Sequence, residues 1–497
     1  LILRASGSTL LLLLLSGVGC SDEQARSPAH QTAAALPTLP FPWADGELAW
    51  HTWGEEVLDQ ARRADRPLLI YLAAPGCEGL FPSPSAALRR IVEERFVSVR
   101  VDPFLRPDLA RRYAAGGWPA LVAALPDGRA FAAAVDLAPR HVEIYLRRLL
   151  EAYAEQRLFL ERQVARSEER PPSFAADAEA VYRACAASFD SLYGGFGSPL
   201  KFPQPGVLRF LLAYHRARGA AQARRMAEQS LDALLASPLW DELHGGFRAF
   251  SFTPDWQTPA PEKDALDQAG LALALVAVAG PPEYAQAVRR IAEYARTQLF
   301  DEGQGAFRGR QVQTRDGTWW TDPVLYADRN AALIRACLVL DSREGPAARL
   351  AQAAGEFLLK ECLGPAGEVR HVCGDQDSLA GLLEDQALVG QALLDLSALS
   401  GEQRFAQAAQ EVVRFVQEHL FNAERNAFFA GLDQTLAPWR DTWLPAGPAL
   451  AAELYLRVGH REEVQGLLEN LQLAEQPSRA HSGLGLLLLR QGEKTSP

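Results

Sequence analysis

From residue 173 onward, apolar residues recur every three or four positions, the spacing of helices that each bury a stripe. The pattern predicts twelve helices, over 173–189, 205–219, 221–237, 264–279, 282–299, 324–341, 345–363, 378–399, 402–420, 444–459, 461–471 and 477–491. Their connections alternate between short ones, such as Gly219-Ala220 and Gly280-Pro281-Pro282, and long ones rich in glycine. Between Trp50 and Leu150 the pattern differs. A helix (Glu55 to Ala64), an apolar strand (Pro67 to Ala73), a helix (Ser85 to Arg95), a strand (Phe96 to Val101) and a helical run precede a hairpin turning at Asp127-Gly128 and a helix from Pro139. Alternating helix and strand predicts an α/β sheet.

The long connections share a motif. Gly194-Gly195-Phe196 recurs as Gly245-Gly246-Phe247, Gly305-Ala306-Phe307 and Asn426-Ala427-Phe428, and Gly367-Glu368-Val369 fills the gap before the last copy. Phe196, Phe247 and Phe307 fall 51 and 60 residues apart, too long a period for one helix, so the unit is a helical hairpin plus a turn-rich loop. Six hairpins closed on themselves predict an all-α (α/α)6 toroid over residues 170–491. Antiparallel helices put the long loops on one face, and each inner helix starts directly after a loop. Helix N-termini carry free N–H groups and partial positive charge, so the mouth of the ring suits polar or anionic ligands.

The chain has 497 residues, 48% hydrophobic and 22% charged, enough for two or three domains. A net charge of -11 with no Lys/Arg-rich run argues against a nucleic-acid partner. Residues 1–20 join Arg4, an apolar stretch from Leu10 to Leu15 and small residues ending at Cys20, which reads as a secretory signal too short to span a membrane. Val18-Gly19-Cys20 resembles a bacterial lipobox, with Cys20 as the lipidated residue, although Gly17 stands where a larger aliphatic is usual. Residues 21–45 read as a disordered tether. The expectation is an exported, lipid-anchored protein facing the periplasm or cell exterior, with plain secretion as the alternative. Cys185 and Cys337 lie in apolar helical patterns, while Cys362 and Cys373 flank a loop, either as a disulfide or as two buried or free thiols.

Leu68-Leu69-Ile70-Tyr71-Leu72 leading to Pro75-Gly76-Cys77, then Phe96 to Asp102, then Gly116-Gly117-Trp118-Pro119-Ala120-Leu121 resemble a thioredoxin fold. The resemblance implies a domain over 46–155 with a cis Trp118–Pro119 peptide facing the redox turn. Dithiol chemistry needs two cysteines three apart, and Cys77-Glu78-Gly79-Leu80 supplies only the first. Cys77 and Pro119 are therefore read as a redox remnant.

The residues following the toroid loops are polar: Lys201, then Glu262-Lys263-Asp264 with Asp267, then Asp322, Asp328 and Asn330, then Glu384-Asp385, then Asp441. With Tyr193, Trp256, Trp319, Trp320, Tyr326, Trp439 and Trp443 they suit a sugar, rings stacking on its faces while carboxylates hold hydroxyls. Each acid alone also fits an ordinary helix N-cap. The stretches Gly194 to Pro203, Pro261-Glu262-Lys263 with Asp267-Gln268-Ala269, and Leu325 to Asn330 resemble the spermatogenesis-associated protein 20-like family, which joins a thioredoxin-like domain to a six-hairpin toroid. By that resemblance Lys201, Glu262, Lys263, Asp267, Asp328, Asn330 and Asp385 occupy mouth positions. Three departures mark a divergent copy: Cys77-Glu78-Gly79-Leu80-Phe81 replaces Cys-His-Trp-Cys-His, Ala260 replaces a histidine and Arg329 replaces a tryptophan.

Two functions compete. In the first, by analogy with six-hairpin glycosidases and sugar epimerases, the mouth processes or binds a carbohydrate-like ligand. Glu262, Asp267, Asp328 and Asp385 are then the candidate catalytic acids, and Lys201, Lys263, Asn330, His244, Trp256 and Trp320 bind substrate. An epimerase would want a pair of bases, and His244 and His371 are the histidines in suitable loops, where a lone histidine is more often solvated than catalytic. In the second, the protein is a non-catalytic lipoprotein scaffold that binds a ligand or a protein partner. No cofactor is expected, and no His/Cys cluster has metal-ligand spacing.

Overall fold

The computed structural model describes residues 48–492 apart from 75–80, 82–83, 114–116, 136, 169–173, 176, 198–199, 279, 315, 341–344, 376–377, 425–426, 433–446, 470–471 and 474–481. The expected signal segment, tether, Cys20 and Cys77 lie outside the described residues, as do Trp439, Asp441 and Trp443. The chain divides at residue 171 into two compact units, with residues 313–318 grouped with the first.

In the first unit, α1 (Glu55–Ala64), β1 (Leu68–Leu72), α2 (Ala86–Arg90), β2 (Val97–Val101), α3 (Pro107–Tyr113), β3 (Ala120–Ala124), β4 (Ala130–Val135) and α4 (Pro139–Glu155) follow the predicted order. The sheet runs β2-β1-β3-β4, with β1 parallel to β2 and antiparallel to β3. Leu68, Ile70 and Leu72 join one core with Val97 and Val99, and Leu69 and Tyr71 join another with Leu121. Because both faces are covered, β1 reads as an unbroken apolar run rather than an alternating one. This is a thioredoxin-like domain, and its Trp118–Pro119 peptide is cis as expected. A further helix, α5 (Arg157–Glu168), which the sequence reading did not single out, adds Leu160 and Val164 to the core of α4.

The second unit contains all twelve predicted helices. Six line the inside, α7 (Pro205–Arg218), α9 (Ala265–Val278), α11 (Ala327–Leu340), α13 (Leu383–Ser400), α15 (Gly447–Val458) and α17 (Ser482–Gly492). The outer six are α6 (Ala178–Ser188), α8 (Ala221–Leu235), α10 (Pro282–Tyr294), α12 (Pro346–Phe357), α14 (Gln403–Phe415) and α16 (Arg461–Glu469). Each inner helix packs on the next, and α17 returns to α7, which closes the (α/α)6 ring. The seam is also stitched by backbone pairing of Phe174–Ala175 with Gln472–Leu473. Inner helices are covered on several sides and so read apolar almost all round, as in the Leu271 to Val278 stretch of α9, whereas outer helices such as α10 and α14 keep one apolar stripe. The ends of α10, α12 and α14 widen into a single π-helical turn before the loop (Ala295–Leu299, Leu358–Cys362, Val416–Leu420).

The repeated motif has a structural cause. In each copy a residue just past the outer helix, or five past it in the case of Trp240, pairs with the motif's apolar residue: Phe189 with Phe196, Trp240 with Phe247, Phe300 with Phe307, Leu363 with Val369, Phe421 with Phe428. The first glycine of the motif has positive φ, 68° at Gly194, 77° at Gly245 and 91° at Gly367, and lies against the backbone of the next outer helix. A Cβ there would stand 2.9 Å from Gln229 O, 2.8 Å from Arg290 O and 2.3 Å from Glu411 O. Only glycine meets both demands. Cys362 and Cys373 form a disulfide across the fourth loop, Cα–Cα 4.5 Å, which settles the alternative left open by spacing. Gly245→Ala should lower unfolding stability by about 1–3 kcal/mol in a denaturant titration; an unchanged midpoint would contradict this account of the motif.

Candidate active site

Two repeated contacts fix the mouth. The first is an amide from the early turns of an inner helix that grips the motif backbone. Gln268 Oε1 accepts from Phe247 N at 2.8 Å and its Nε2 donates to Phe247 O at 2.7 Å. Asn330 does the same to Phe307 (2.7 and 2.9 Å), and Gln386 accepts from Val369 N while donating to Gly367 O. The second is the carbonyl two residues past the motif's apolar residue, which caps the preceding inner helix: Gly309 O accepts from Ala265 N, His371 O from Ala327 N and Ala430 O from Leu383 N, at 2.9, 2.9 and 3.0 Å. Each such loop thus joins the N-termini of two neighbouring inner helices.

These contacts correct several sequence assignments. Asn330 is fully buried and spends its amide on Phe307 and Tyr326 O, so it supports a loop rather than a ligand. Lys201 is also buried, its Nζ bonded to Asp190 Oδ2 at 2.6 Å and Pro254 O at 2.8 Å. Lys263 repeats the arrangement in the next loop, with Asp241 Oδ2 at 2.8 Å and Gly245 O at 2.7 Å. Burial works against the Asp241 carboxylate, but Lys263 and the His244 N–H hold it down at about 2. Trp256 is buried against Lys201, with Nε1 donating to Tyr193 O, and Trp319 covers Lys263. His244 is partly exposed beside Asp241 in the same loop, and Trp320 lies 6.0 Å from the Arg310 guanidinium. Lys201, Lys263, Trp256 and Asn330 are parts of the frame.

The carboxylates behave differently, because they meet. Arg329, in the first turn of α11, donates to Asp328 Oδ2 at 2.7 Å and to Asp264 Oδ2 at 3.1 Å. Arg310, buried, donates to Asp322 Oδ2 at 3.0 Å and faces Glu262 Oε2 at 3.8 Å. His371 Nδ1 lies 2.9 Å from Asp385 Oδ2, in the first turn of α13. Four of the predicted acids, Glu262, Asp267, Asp328 and Asp385, therefore belong to one electrostatic cluster on three consecutive inner helices and the loops above them.

Their charge states separate. Burial, with Asp264 and Glu262 beside it, raises the Asp267 carboxyl well above the usual carboxylate range, against the pull of Arg329. Burial also raises Glu262, partly offset by Arg310. Asp328 goes the other way: burial opposes its charge, but Arg329 and His371 more than compensate and lower it. His371 is pushed up to about 9, because Asp385 and Asp328 outweigh the burial that disfavours an imidazolium. The cluster thus sets two carboxyls that burial pushes toward the neutral form, Asp267 and Glu262, beside one that Arg329 and His371 hold ionised, Asp328.

His371 overturns the reading of a solvated loop histidine, since it is 1% exposed and ion-paired. A signal existed in the repeat: Ala249 and Gly309 occupy the position two past Phe247 and Phe307, and the copy at Val369 places a histidine there. Arg329 and Arg310 were not assigned to the site, yet they organise it. Asp328, His371 and Asp385 have ligating atoms within 4.8 Å of one another, the donor set most able to hold a metal among the described residues. Asp328 is already engaged by Arg329 and His371 Nδ1 by Asp385, so the set is satisfied as an ion-pair network.

Residues 42–170 match the Thioredox_DsbH family, described as a protein of unknown function, DUF255. The chain is 27% identical over 305 residues to spermatogenesis-associated protein 20 of Homo sapiens, covering 53% of this chain and 39% of that protein. The Mus musculus protein is 24% identical over 444 residues, covering 78% of this chain and 54% of its own length. The matched regions thus span about two fifths to a half of these curated relatives. Among solved structures, cellobiose 2-epimerase from Bacillus thermoamylovorans matches with TM-score 0.52 and 10% identity over 62% of this chain and 95% of that one. A D-mannose isomerase matches with TM-score 0.50 and 13% identity over 63% and 96%. At such identities the likeness shows the fold.

The folded pKa of His371 lies above the 6.5 of an exposed histidine, so its ion pair stabilises fully below pH 6.5 and ceases to do so as pH rises through about 9. The melting-temperature gap between the wild type and His371→Gln should narrow between pH 6.5 and 9.5; a constant gap would contradict the assignment.

Proposed function

The chain is a member of the spermatogenesis-associated protein 20-like family, and from its geometry we propose that the toroid mouth processes a carbohydrate by acid–base chemistry. The observation that carries this reading is the gathering of the acids around Arg329, which lies 2.7 Å from Asp328 and 3.1 Å from Asp264, an arrangement that favours the neutral form of Asp267 and the ionised form of Asp328. Asp267, whose burial beside Asp264 and Glu262 favours the protonated form, donates its proton to a leaving or ring oxygen. Asp328, ionised and fixed by Arg329, stabilises the positive charge that develops on the sugar carbon. Asp264 and Glu262 keep the Asp267 proton in place, since a second negative charge beside them is unfavourable.

His371 acts by position and charge. As an imidazolium it cannot abstract a proton, so the pair of histidine bases considered for an epimerase is not favoured here. The names of the two fold neighbours, an epimerase and an isomerase acting on sugars, support the substrate class and leave the reaction to these residues. A scaffold without turnover is the second reading, favoured by the frame roles of Lys201, Lys263 and Asn330.

Turnover of a panel of glycosides and free sugars tests both readings. Wild type should turn over at least one, with a bell-shaped pH profile whose basic limb is the deprotonation of Asp267, and Asp267→Asn should cut kcat by 10²-fold or more, a typical general-acid effect. Absence of turnover across the panel, or a fully active Asp267→Asn, would favour the scaffold.

Export and lipid anchorage through Cys20 belong to the same proposal. The Cys362–Cys373 disulfide supports an oxidising compartment. Cells expressing the chain with its native N-terminal segment should incorporate labelled palmitate into it, and Cys20→Ser should abolish the label; an unlabelled wild type removes the anchor.

A further inference from the structure

A second layer of charge lies farther along the inner helices, open to solvent at Arg457 and Arg490. Arg209 is the fifth residue of α7, Arg335 the ninth of α11 and Glu453 the seventh of α15. Asp395 of α13, Arg457 of α15 and Arg490 of α17 complete the layer. Arg335 reaches Asp395 at 2.9 Å and Glu453 at 4.0 Å, and Arg457 reaches Asp395 at 2.6 Å, while Arg490 pairs with Glu453. Because α11 and α15 are separated by α13 in the ring, the approach of Arg335 to Glu453 runs across the lumen.

The layer is not neutral. Four guanidinium groups share two carboxylates, and both carboxylates are engaged by other arginines. Among the described residues, no hydrogen bond or ion pair engages Arg209. Burial and the charges of Arg335, Arg490 and Arg216 oppose its cation and Glu453 favours it, which together bring it down to about 10. The helix dipole accounts for Arg457 and Arg490, which sit in the last turns of their helices where cations are favoured. It does not account for Arg209, which lies near the start of α7, where the dipole opposes a cation.

We propose that Arg209 is the anion-binding floor of the lumenal site and takes an oxyanion, a carboxylate or phosphate, carried by the ligand. The inner helices all begin at the mouth, so at 1.5 Å per residue Arg209 lies roughly 3–5 Å deeper than Asp267, Asp328 and Asp385, the second or third residues of their helices. One sugar ring spans that depth. A planar guanidinium offers a carboxylate or phosphate two parallel N–H donors, and the net positive layer makes the anion's charge an asset. The inference deepens the carbohydrate reading by naming the substrate class, an acidic or phosphorylated sugar; it rests on that reading for the sugar, and on the lumenal arginines alone for the anion.

Calorimetric titration of the intact chain with D-glucuronate, D-glucose 6-phosphate, inorganic phosphate and D-glucose tests it. At least one anion should bind tenfold or more tightly than glucose. Preference for glucuronate assigns a carboxylate and preference for glucose 6-phosphate a phosphate ester, while inorganic phosphate alone assigns a free oxyanion. Arg209→Met should weaken the preferred anion at least tenfold. Glu453→Gln, which removes the competing carboxylate, should strengthen it severalfold and decides the matter should Arg209→Met fail to fold. Asp267→Asn should retain anion binding, so loss of the acid–base reading and loss of this one give different results. No anion preference in the wild type, or unchanged affinity in Arg209→Met and Glu453→Gln, overturns the proposal.

Discussion

A side-chain amide that turns back onto the loop in front of it is the contact from which the mouth of this ring is built. Gln268, Asn330 and Gln386 each accept from one backbone N–H of the motif and donate to a carbonyl of it, as a neighbouring strand would. Two residues on, the same loop offers a carbonyl to the first N–H of the preceding inner helix. Buried backbone groups that lack a sheet are satisfied in this way, and satisfaction is what a loop of this length otherwise lacks. Once the loops are fixed, the residues beside the amides are fixed too. Asp267 precedes Gln268, Asp328 stands two before Asn330 and Asp385 precedes Gln386, so the acids are carried to the lumen by the residues that hold the frame.

Electrostatics then divides the lumen. Near the mouth, acids outnumber their partners and burial pushes one of them toward its neutral form; farther along the same helices, arginines outnumber theirs. Neither imbalance would perturb its groups as strongly on an exposed surface, where solvent screens single charges. Curvature of the ring makes both possible, because it brings residues from nonadjacent helices such as Arg335 and Glu453 within reach of each other.

Much of this was legible in the sequence. The twelve helices were visible because each buries a stripe, and the loops because only glycine fits the positive φ and the close approach at Gly194, Gly245 and Gly367. Rotational phase was not legible. A polar residue near a helix start looks the same whether it turns to the lumen, as Asp328 does, or to the loop, as Asn330 does two residues later. Lys201 and Lys263 were misassigned for the related reason that their partners, Asp190 and Asp241, sit earlier in the chain at positions that read as ordinary turn residues. His371 was undervalued because a lone histidine carries no partner in its own sequence neighbourhood; Asp385 arrives fourteen residues later, on the next helix.

The seam between α17 and α7, sewn by Phe174–Ala175 against Gln472–Leu473, has a consequence for how the toroid comes apart. An open array of helical hairpins can fray from either end, one unit at a time, because each unit touches only its neighbours. A closed circle has no free end unit. Releasing any one hairpin exposes two flanks at once, so the cooperativity of melting spreads around the whole circumference, and partial unfolding is confined to whichever joint is held by the fewest bonds.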